Sequence, residues 1–457
     1  MSTNSFIQVP PDSTGKRLFA HQHQVDGIPV QAQVYHLADG NTPNNTLAID
    51  IRGSASVRFS EGQPTLSGFG ALNVSQPSAL GVYESSSGSY DALFSIETSV
   101  GGSSQYDDVG HGTLLTVTGA VGSSVKRTTN RYHYYLPGSS NIVVMTTGCG
   151  DTGKTGNFRR WGAFDDNDGV YFELYETTLN TVVRSSTTGS ITEFKIPQAD
   201  WNTDKLDGTG ISGISLDVTK INLWWVDYQW LGSGRVRFGV FSKNGARVVC
   251  HTVENAGQWT VPYMRGGTLP LATENTNFGS TGSISQLRES CLAIYTEGKI
   301  SDYTFWRSSD VNVTGKTVTV SDTVLFSLRS RISVSGLNHH NSVIAYPETL
   351  NVYSDQPIRI DLWQNTTATG GTWNITGTDS SIEGSTDSVI TDLATPFKTL
   401  FFSAGVTVVD MTKFFEINDE GILLAADNTQ LVWTFTAKRL GGSNAAVTAN
   451  LGYRELY

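Results

Sequence analysis

From about residue 50 to the C-terminus, apolar and polar side chains alternate with a period of two. Ile358, Ile360 and Leu362 alternate with Arg359, Asp361 and Trp363, and Leu431, Trp433 and Phe435 alternate with Val432, Thr434 and Thr436. This is the pattern of half-buried strands, in which successive side chains point to opposite faces. Between such runs, Asn167-Asp168-Gly169, Gly232-Ser233-Gly234 and Asn244-Gly245 supply residues that tolerate positive φ, as tight hairpin turns require. Short turns between strands predict antiparallel pairing. The densest stretch, INLWWVDYQWLGSGRVRFGVFSKNGARVVCHTV over 221–253, predicts three successive strands broken at Gly232 to Gly234 and at Asn244-Gly245. Its aromatics, Trp224, Trp225, Tyr228, Trp230, Phe238 and Phe241, fall on both faces, so this sheet is expected to be covered on both sides. Core packing, a subunit interface and an aromatic ligand platform all fit that placement.

The predicted fold class is therefore all-β, built of antiparallel β-sandwiches. Three segments are expected. In residues 1–50, Pro10-Pro11, His21-Gln22-His23-Gln24 and Asn41 to Asn45 interrupt every periodic pattern, which predicts an irregular N-terminal arm. A central sandwich domain follows over 51–308. The composition then shifts at WRSSDVNVTGKT, and further alternating strands predict a C-terminal β-sandwich domain over 309–457. QLRESCLAIY, residues 286–295, is the single helix candidate and serves equally well as a strand. No repeat of fixed period is visible.

The composition supports this picture. The chain has 457 residues, long enough for a sizeable core and roughly two to three domains. Only 16% of residues are charged and 47 are Gly, which suits strands and turns better than charge-laced helices. A net charge of -11 argues against a nucleic-acid partner, because the longest basic clusters, Arg159-Arg160 and Lys126-Arg127, are only pairs. Cys149, Cys250 and Cys291 lack metal-ligand spacing and are expected to be free thiols of a protein made in a reducing cytosol. No signal peptide and no run of ~18 apolar residues is found, so neither export nor membrane insertion is expected. The sequons at Asn44, Asn73, Asn312, Asn365 and Asn374 follow from the abundance of Asn, Ser and Thr.

Several motifs suggest chemistry and fail on context. GCGDTGKT, residues 148–155, satisfies the phosphate-loop pattern G-x-x-x-x-G-K-[ST]. A working loop of that kind opens a helix, whose N-terminal amides complete the anion cradle. Here GNFRRWGAFDDNDGVYFEL follows and predicts strand, turn and strand, so a Gly-rich hairpin loop with Lys154 facing solvent is expected. Asp165-Asp166-Asn167-Asp168-Gly169 evokes calcium, but its spacing departs from the EF-hand and predicts a turn. His21, His23, His339 and His340 lack acidic or Cys companions at metal spacing and are expected in exposed loops. Glu173, Glu176, Asp217 and Asp227 lie near aromatics and are candidates for the paired carboxylates of a glycosidase. No G-x-S-x-G is present. No catalytic, cofactor-binding or metal-binding residue is assigned, and no cofactor is expected.

Four segments carry a family resemblance: RFSEGQPTLSGFGALNVSQPSALGVY (58–83), RYHYYLPGSSNIVVMTTG (131–148), RRWGAFDDNDGVYFEL (159–174) and DWNTDKLDGTGISGISLDVTKINLWWVDYQWLGSGRVRFGV (200–240). Together with the C-terminal YRELY, they resemble a family of virion structural proteins of tailed bacteriophages. The resemblance implies a non-enzymatic building block with a central jelly-roll-like sandwich, similar to lectin or laminin-G modules. It implies a homo-oligomer, a ring or trimer, contacting other virion proteins, assembled in the host cytoplasm and resident in the virion. A place in the tail or its appendages is expected, with possible partners extending to a host-surface glycan. Head-surface decoration is the nearest alternative, and a carbohydrate-binding or depolymerising adhesin is an alternative of a different class.

Overall fold

The computed structural model describes residues 77–297, 306–333, 340–376, 380–392, 395–414 and 421–456, together with the backbone of five short strands within the first 56 residues. Two compact units are distinguished, Met1–Gln63 and Pro64–Tyr457. In the first unit, the strands Asn4–Gln8, Arg17–Val25 and Ile28–Gln33 form an antiparallel sheet in sequence order. The stretch expected to be an irregular arm therefore contains regular structure, and His21 and His23 belong to a strand rather than to loops. Strand pairing is made by the backbone, so a polar run such as His21-Gln22-His23-Gln24 does not prevent it.

The second unit is all-β and contains two antiparallel sandwiches. In the first, a seven-stranded sheet runs in the order Thr192–Pro197, Thr178–Ser185, Gly169–Tyr175, Asn157–Phe164, Leu271–Asn277, Ser124–Thr129, Phe94–Ser99. Opposite it lies a sheet ordered Arg247–Val253, Val236–Phe241, Asn222–Tyr228, Asn141–Gly148, Ser285–Thr296, Gly112–Val117, Ser103–Asp107, with Ser78–Glu84 also paired to Ser285–Thr296. The helix candidate at 286–295 is thus a central strand. Between the sheets, Trp161, Phe172, Trp224 and Phe238 form one aromatic core. Ring centroids are 5.0 Å apart for Trp161 and Trp224, 4.8 Å for Phe172 and Trp224 and 5.5 Å for Phe172 and Phe238.

The 221–253 strands are covered by a second sheet on one face only, and on the other face Trp225 is buried against its own sheet. Trp224, Tyr228 and Phe238 point into the core. Trp225 points away from it, yet is equally buried, with its indole laid across Gly239 on the neighbouring strand. A Cβ at Gly239 would come within 2.5 Å of the Trp225 ring, so the absence of a side chain there permits this packing. The Trp225 Nε1–H donates to the Val240 carbonyl at 3.2 Å. Trp225 is therefore a packed residue and not part of a ligand platform.

The second sandwich pairs a sheet ordered Trp306–Val318, Ala445–Leu456, Ile344–Ser354, Gly405–Asp410 with one ordered Asn374–Ile375, Ile382–Ser385, Thr323–Ser330, Val432–Arg439, Ile358–Thr366, Lys398–Phe402. Ile358, Ile360, Leu362, Trp433 and Phe435 enter its core, as the alternation predicts. The opposite faces differ from expectation, because Thr434 and Thr436 are buried too. Short hydroxyls satisfy one another there: Thr434 with Ser327 at 2.9 Å and with Thr366 at 3.0 Å, while Trp363 Nε1–H donates to Thr436 Oγ1 at 2.9 Å. A polar face can be buried when every hydroxyl finds a partner.

Candidate functional site

The phosphate-loop match joins Asn141–Gly148 to Asn157–Phe164, and these strands belong to opposite sheets. The loop therefore crosses from one sheet to the other and is not a hairpin. No helix follows Thr155, so the anion cradle is missing. Lys154 is not free in solvent as expected: its Nζ donates to Ser283 Oγ at 2.8 Å. Gly153 has φ of 100°, and a Cβ there would lie 1.7 Å from the Glu176 carbonyl oxygen, so the loop's glycines answer to close packing.

The acidic stretch at 165–169 is the hairpin turn between Asn157–Phe164 and Gly169–Tyr175. Asp165 Oδ1 accepts from the amides of Asn167 and Asp168, both at 2.8 Å, and Asp168 accepts from the amides of Ser186 and Arg265 at 3.1 and 3.0 Å. These carboxylates are thus engaged by the backbone. Among the described residues no group of three or more His, Cys, Asp or Glu is placed to hold a metal ion. His339 lies outside the described residues, and His340 stacks on Tyr132 with centroids 4.2 Å apart.

The four candidate acids are not brought together. Glu173 is buried on the seven-stranded sheet, bonded to Arg160 at 2.8 Å and Lys195 at 2.7 Å. Asp227 is buried on the other sheet against Arg237 and Ser140. Glu176 accepts from the Gly156 amide at 2.9 Å, and Asp217 accepts from the amide and hydroxyl of Thr219 at 2.9 and 2.6 Å. Each carboxylate has a structural partner. The three cysteines are free thiols; burial pushes Cys149 up to about 11 and raises Cys250 as well, which makes both poor nucleophiles at neutral pH.

What the fold does assemble is a cleft that no single motif announces. Thr178–Ser185 and Thr192–Pro197 end one sheet, Val236–Phe241 and Arg247–Val253 end the other, and the loop 254–263 spans the opening. The cavity measures about 350 Å³. Its floor is formed by Thr181, Val183 and Phe238, and its walls by Phe194, Ile196, Trp259, Val261 and Pro262. Phe194 and Trp259 are both partly exposed, with ring centroids 4.8 Å apart at 56°. Trp259 is held in place, since its Nε1–H donates to Asn255 Oδ1 at 3.0 Å while Asn255 Nδ2 donates to the Gly234 carbonyl at 2.7 Å.

Two polar features lie in the buried part of the cleft lining. Thr181 pairs across the strands with Phe172 and Ile196, which places it on the core face, and it is only 1% exposed. Among the described residues its Oγ1 and the hydroxyl of the lining residue Tyr263 have no hydrogen-bond partner, and both atoms are closed off from solvent. His251 is the second feature. Its Nδ1 accepts from the Asn202 amide at 3.3 Å, which assigns the ring proton to Nε2, and burial lowers its pKa, so the ring is neutral at pH 7. Glu254 is the single carboxylate lining the cleft, whereas glycoside hydrolysis commonly employs two.

Trp259 escapes a reading by periodicity; Phe194 does not, since Phe194 and Ile196 alternate with Glu193 and Lys195. Trp259 lies in the loop segment QWTVPYM, residues 258–264, and a tryptophan three positions before a proline, outside any alternating run, is the one sequence signal for it.

No family model and no curated protein matches the chain. Solved structures resemble about half of it at low similarity. One, described with endo-acting O-glycanases that human gut microbiota express to initiate mucin breakdown, is 13% identical with a TM-score of 0.34, covering 48% of this chain and 100% of its own. The CBM2 module of the evolved Dit of Lactobacillus casei BL23 phage J-1 is 8% identical with a TM-score of 0.32, covering 50% of this chain and 99% of its own. A β-1,3-glucanase from Mycobacterium marinum is 12% identical with a TM-score of 0.29, covering 48% and 94% respectively. Carbohydrate-binding and glycoside-hydrolase β-domains are thus among its structural neighbours, at a level that transfers none of their activities.

Proposed function

We propose that this chain is a non-enzymatic, carbohydrate-binding structural subunit of a tailed-phage virion, and that the cleft of the first sandwich contacts the host-surface glycan. The cleft carries the binding part of this reading. A sugar ring has an apolar C–H face and a polar rim, and the site offers the complement: exposed Phe194 and Trp259 rings beside the exposed hydroxyls of Thr188 and Thr192. The virion part is supported by the motifs at 58–83, 131–148, 159–174 and 200–240. A place in the tail or its appendages suits a host-contacting role better than decoration of the head.

In a binding assay of the full chain against host polysaccharide or a glycan array, Trp259→Ala is expected to weaken retention at least tenfold, corresponding to loss of about 1.4 kcal/mol of stacking and apolar contact. Retention unchanged by this substitution would move the binding site elsewhere.

Assembly into symmetric oligomers is supported by the second sandwich. Gly405–Asp410 ends its sheet, and no charged residue occurs from 399 to 409. Val406 and Val408 on this edge are 76% and 65% exposed, and Phe401 on the edge strand of the opposite sheet is 70% exposed. Free edges of monomeric proteins are commonly guarded by charge, Pro or a bulge. Here the charge on the edge strand sits only at its end, at Asp410, and the apolar stretch before it suits a contact with a second copy, by strand pairing or by packing. Sedimentation of the Val408→Lys variant is expected to show a smaller species than the native chain; an identical distribution would exclude this edge as the contact.

A further inference from the structure

Resting on the reading of the Gly405–Asp410 edge as a contact between copies, we infer that this strand pairs with itself, antiparallel, across a twofold axis at Thr407, so that two chains share one continuous sheet. The strand is open for such pairing. Among the described residues it pairs with Ile344–Ser354 alone and ends its sheet. Its register runs from Asp410 opposite Thr349 to Gly405 opposite Ser354 without a bulge, and no Pro interrupts it. The outer row of backbone N–H and C=O groups is therefore a template for another strand.

The order of its residues points to a second copy as the occupant. Val406 and Val408 lie opposite Tyr353 and Asn351 on the outer face, and Thr407 and Val409 lie opposite the core residues Val352 and Leu350. Antiparallel self-pairing about Thr407 sets Val406 against Val408 of the second copy, Thr407 against Thr407, and Gly405 against Val409. Each face then continues across the junction, outer side chains beside outer ones, with apolar and Thr–Thr pairs of the kind that stabilise sheets. The exposed pair Tyr353 and Val406 gains an apolar neighbour in the second copy's Val408. Charge sets the direction. Asp410 is the one charged residue of the strand and stands at its end. Antiparallel pairing carries the two carboxylates roughly 20 Å apart, at about 3.4 Å per residue, well beyond a Debye length of about 8 Å. Parallel pairing in register brings them onto adjacent strands about 4.8 Å apart, where like charges repel. A twofold contact closes at two copies, so a larger ring requires a further surface.

The test is oxidative cross-linking of full-length variants carrying one added cysteine, read on non-reducing gels beside the native chain, whose own thiols set the background. Thr407→Cys is expected to give a covalent dimer at roughly ten times that background or more, because it faces its own counterpart at a distance a disulfide spans. Val406→Cys and Val408→Cys are each expected to link poorly alone, since diagonal cross-strand neighbours stand about 7–8 Å apart, and to link as well as Thr407→Cys when co-expressed. Thermal melts matching the native chain establish that the variants fold. Self-linking of Val406→Cys and Val408→Cys in place of the co-expressed pair overturns the antiparallel arrangement and leaves the edge as the contact. So does a native oligomer that Val408→Lys breaks while no cross-link forms. A native chain that sediments as a monomer, as expected if the edge receives a strand of a different protein, overturns the arrangement and the edge reading together, and an oligomer untouched by Val408→Lys and free of cross-links does the same.

Discussion

Glu289→Ala is expected to lower the unfolding free energy by about 3–5 kcal/mol, because it strands a buried guanidinium. Arg127 is fully buried on the seven-stranded sheet, and Glu289, 1% exposed, sits on the sheet opposite. Arg127 Nε donates to Glu289 Oε1 at 3.2 Å, so the pair joins the two layers across the core. The remaining valences are filled as well. Thr273 Oγ1 donates to Glu289 Oε2 at 2.5 Å, Arg127 reaches Asp91 at 2.7 Å and the Ser89 carbonyl, and its guanidinium lies 3.5 Å from the Phe94 ring centroid. Without Glu289, the half-exposed Asp91 at the rim is, among the described residues, the one carboxylate still paired with Arg127. The double variant Arg127→Met with Glu289→Leu is expected to recover most of the loss, since it removes both desolvation penalties together. Urea unfolding followed by tryptophan fluorescence measures all three proteins. A single variant costing less than about 1 kcal/mol would mean that Asp91 suffices as counter-ion.

Acidification from pH 6.5 to 5 is expected to destabilise the first sandwich by about 1–2 kcal/mol, largely through His133. This side chain is fully buried. Its Nδ1 lies 3.3 Å from the Leu269 carbonyl, which can only accept, so Nδ1 carries the proton and Nε2 accepts from the Tyr83 hydroxyl at 3.0 Å. Burial, with the nearby Arg131 charge, lowers the His133 pKa from 6.5 to about 3. The folded protein therefore holds His133 neutral where the unfolded chain protonates it. The resulting stability is complete above pH 6.5 and falls as pH drops, by up to about 1.4 kcal/mol per unit, until the folded pKa is reached. Burial lowers His251 in the same direction, and it adds to the slope. Glu193 behaves differently: burial raises it, but Arg160 and Arg184 outweigh that and hold it at about 2, so its contribution is lost only below its ordinary 4.5. Between pH 6.5 and 5 the histidines carry the loss, against an opposing contribution from Glu297, which burial raises from its ordinary 4.5. His133→Gln, which keeps an acceptor for Tyr83, is expected to flatten the slope of unfolding free energy against pH there. A slope equal to that of the native protein would remove His133 from the account.

Alternation and turn chemistry made the all-β antiparallel architecture legible. Asn167-Asp168-Gly169, Gly232-Ser233-Gly234 and Asn244-Gly245 each mark a turn between strands paired in the structure. The phosphate-loop match could be dismissed from the strand signals after Thr155, although the destination of that loop could not. Period two assigns residues to the two faces of a strand and is silent on what covers each face. Thr434 and Thr436 illustrate this, since their polarity suggested solvent while partners from Ser327, Thr366 and Trp363 enclose them.

The sequence by itself determined backbone type, because strand and turn preferences are set by neighbours within a few residues. Only the tertiary structure decided which distant residues meet. Arg127 and Glu289 are separated by 162 positions, and Thr181, Phe194, Phe238, His251 and Trp259 reach one cleft from the edges of two sheets and a connecting loop. Those meetings depend on strand order and on how one sheet faces the other, which are properties of long-range pairing that no local pattern encodes.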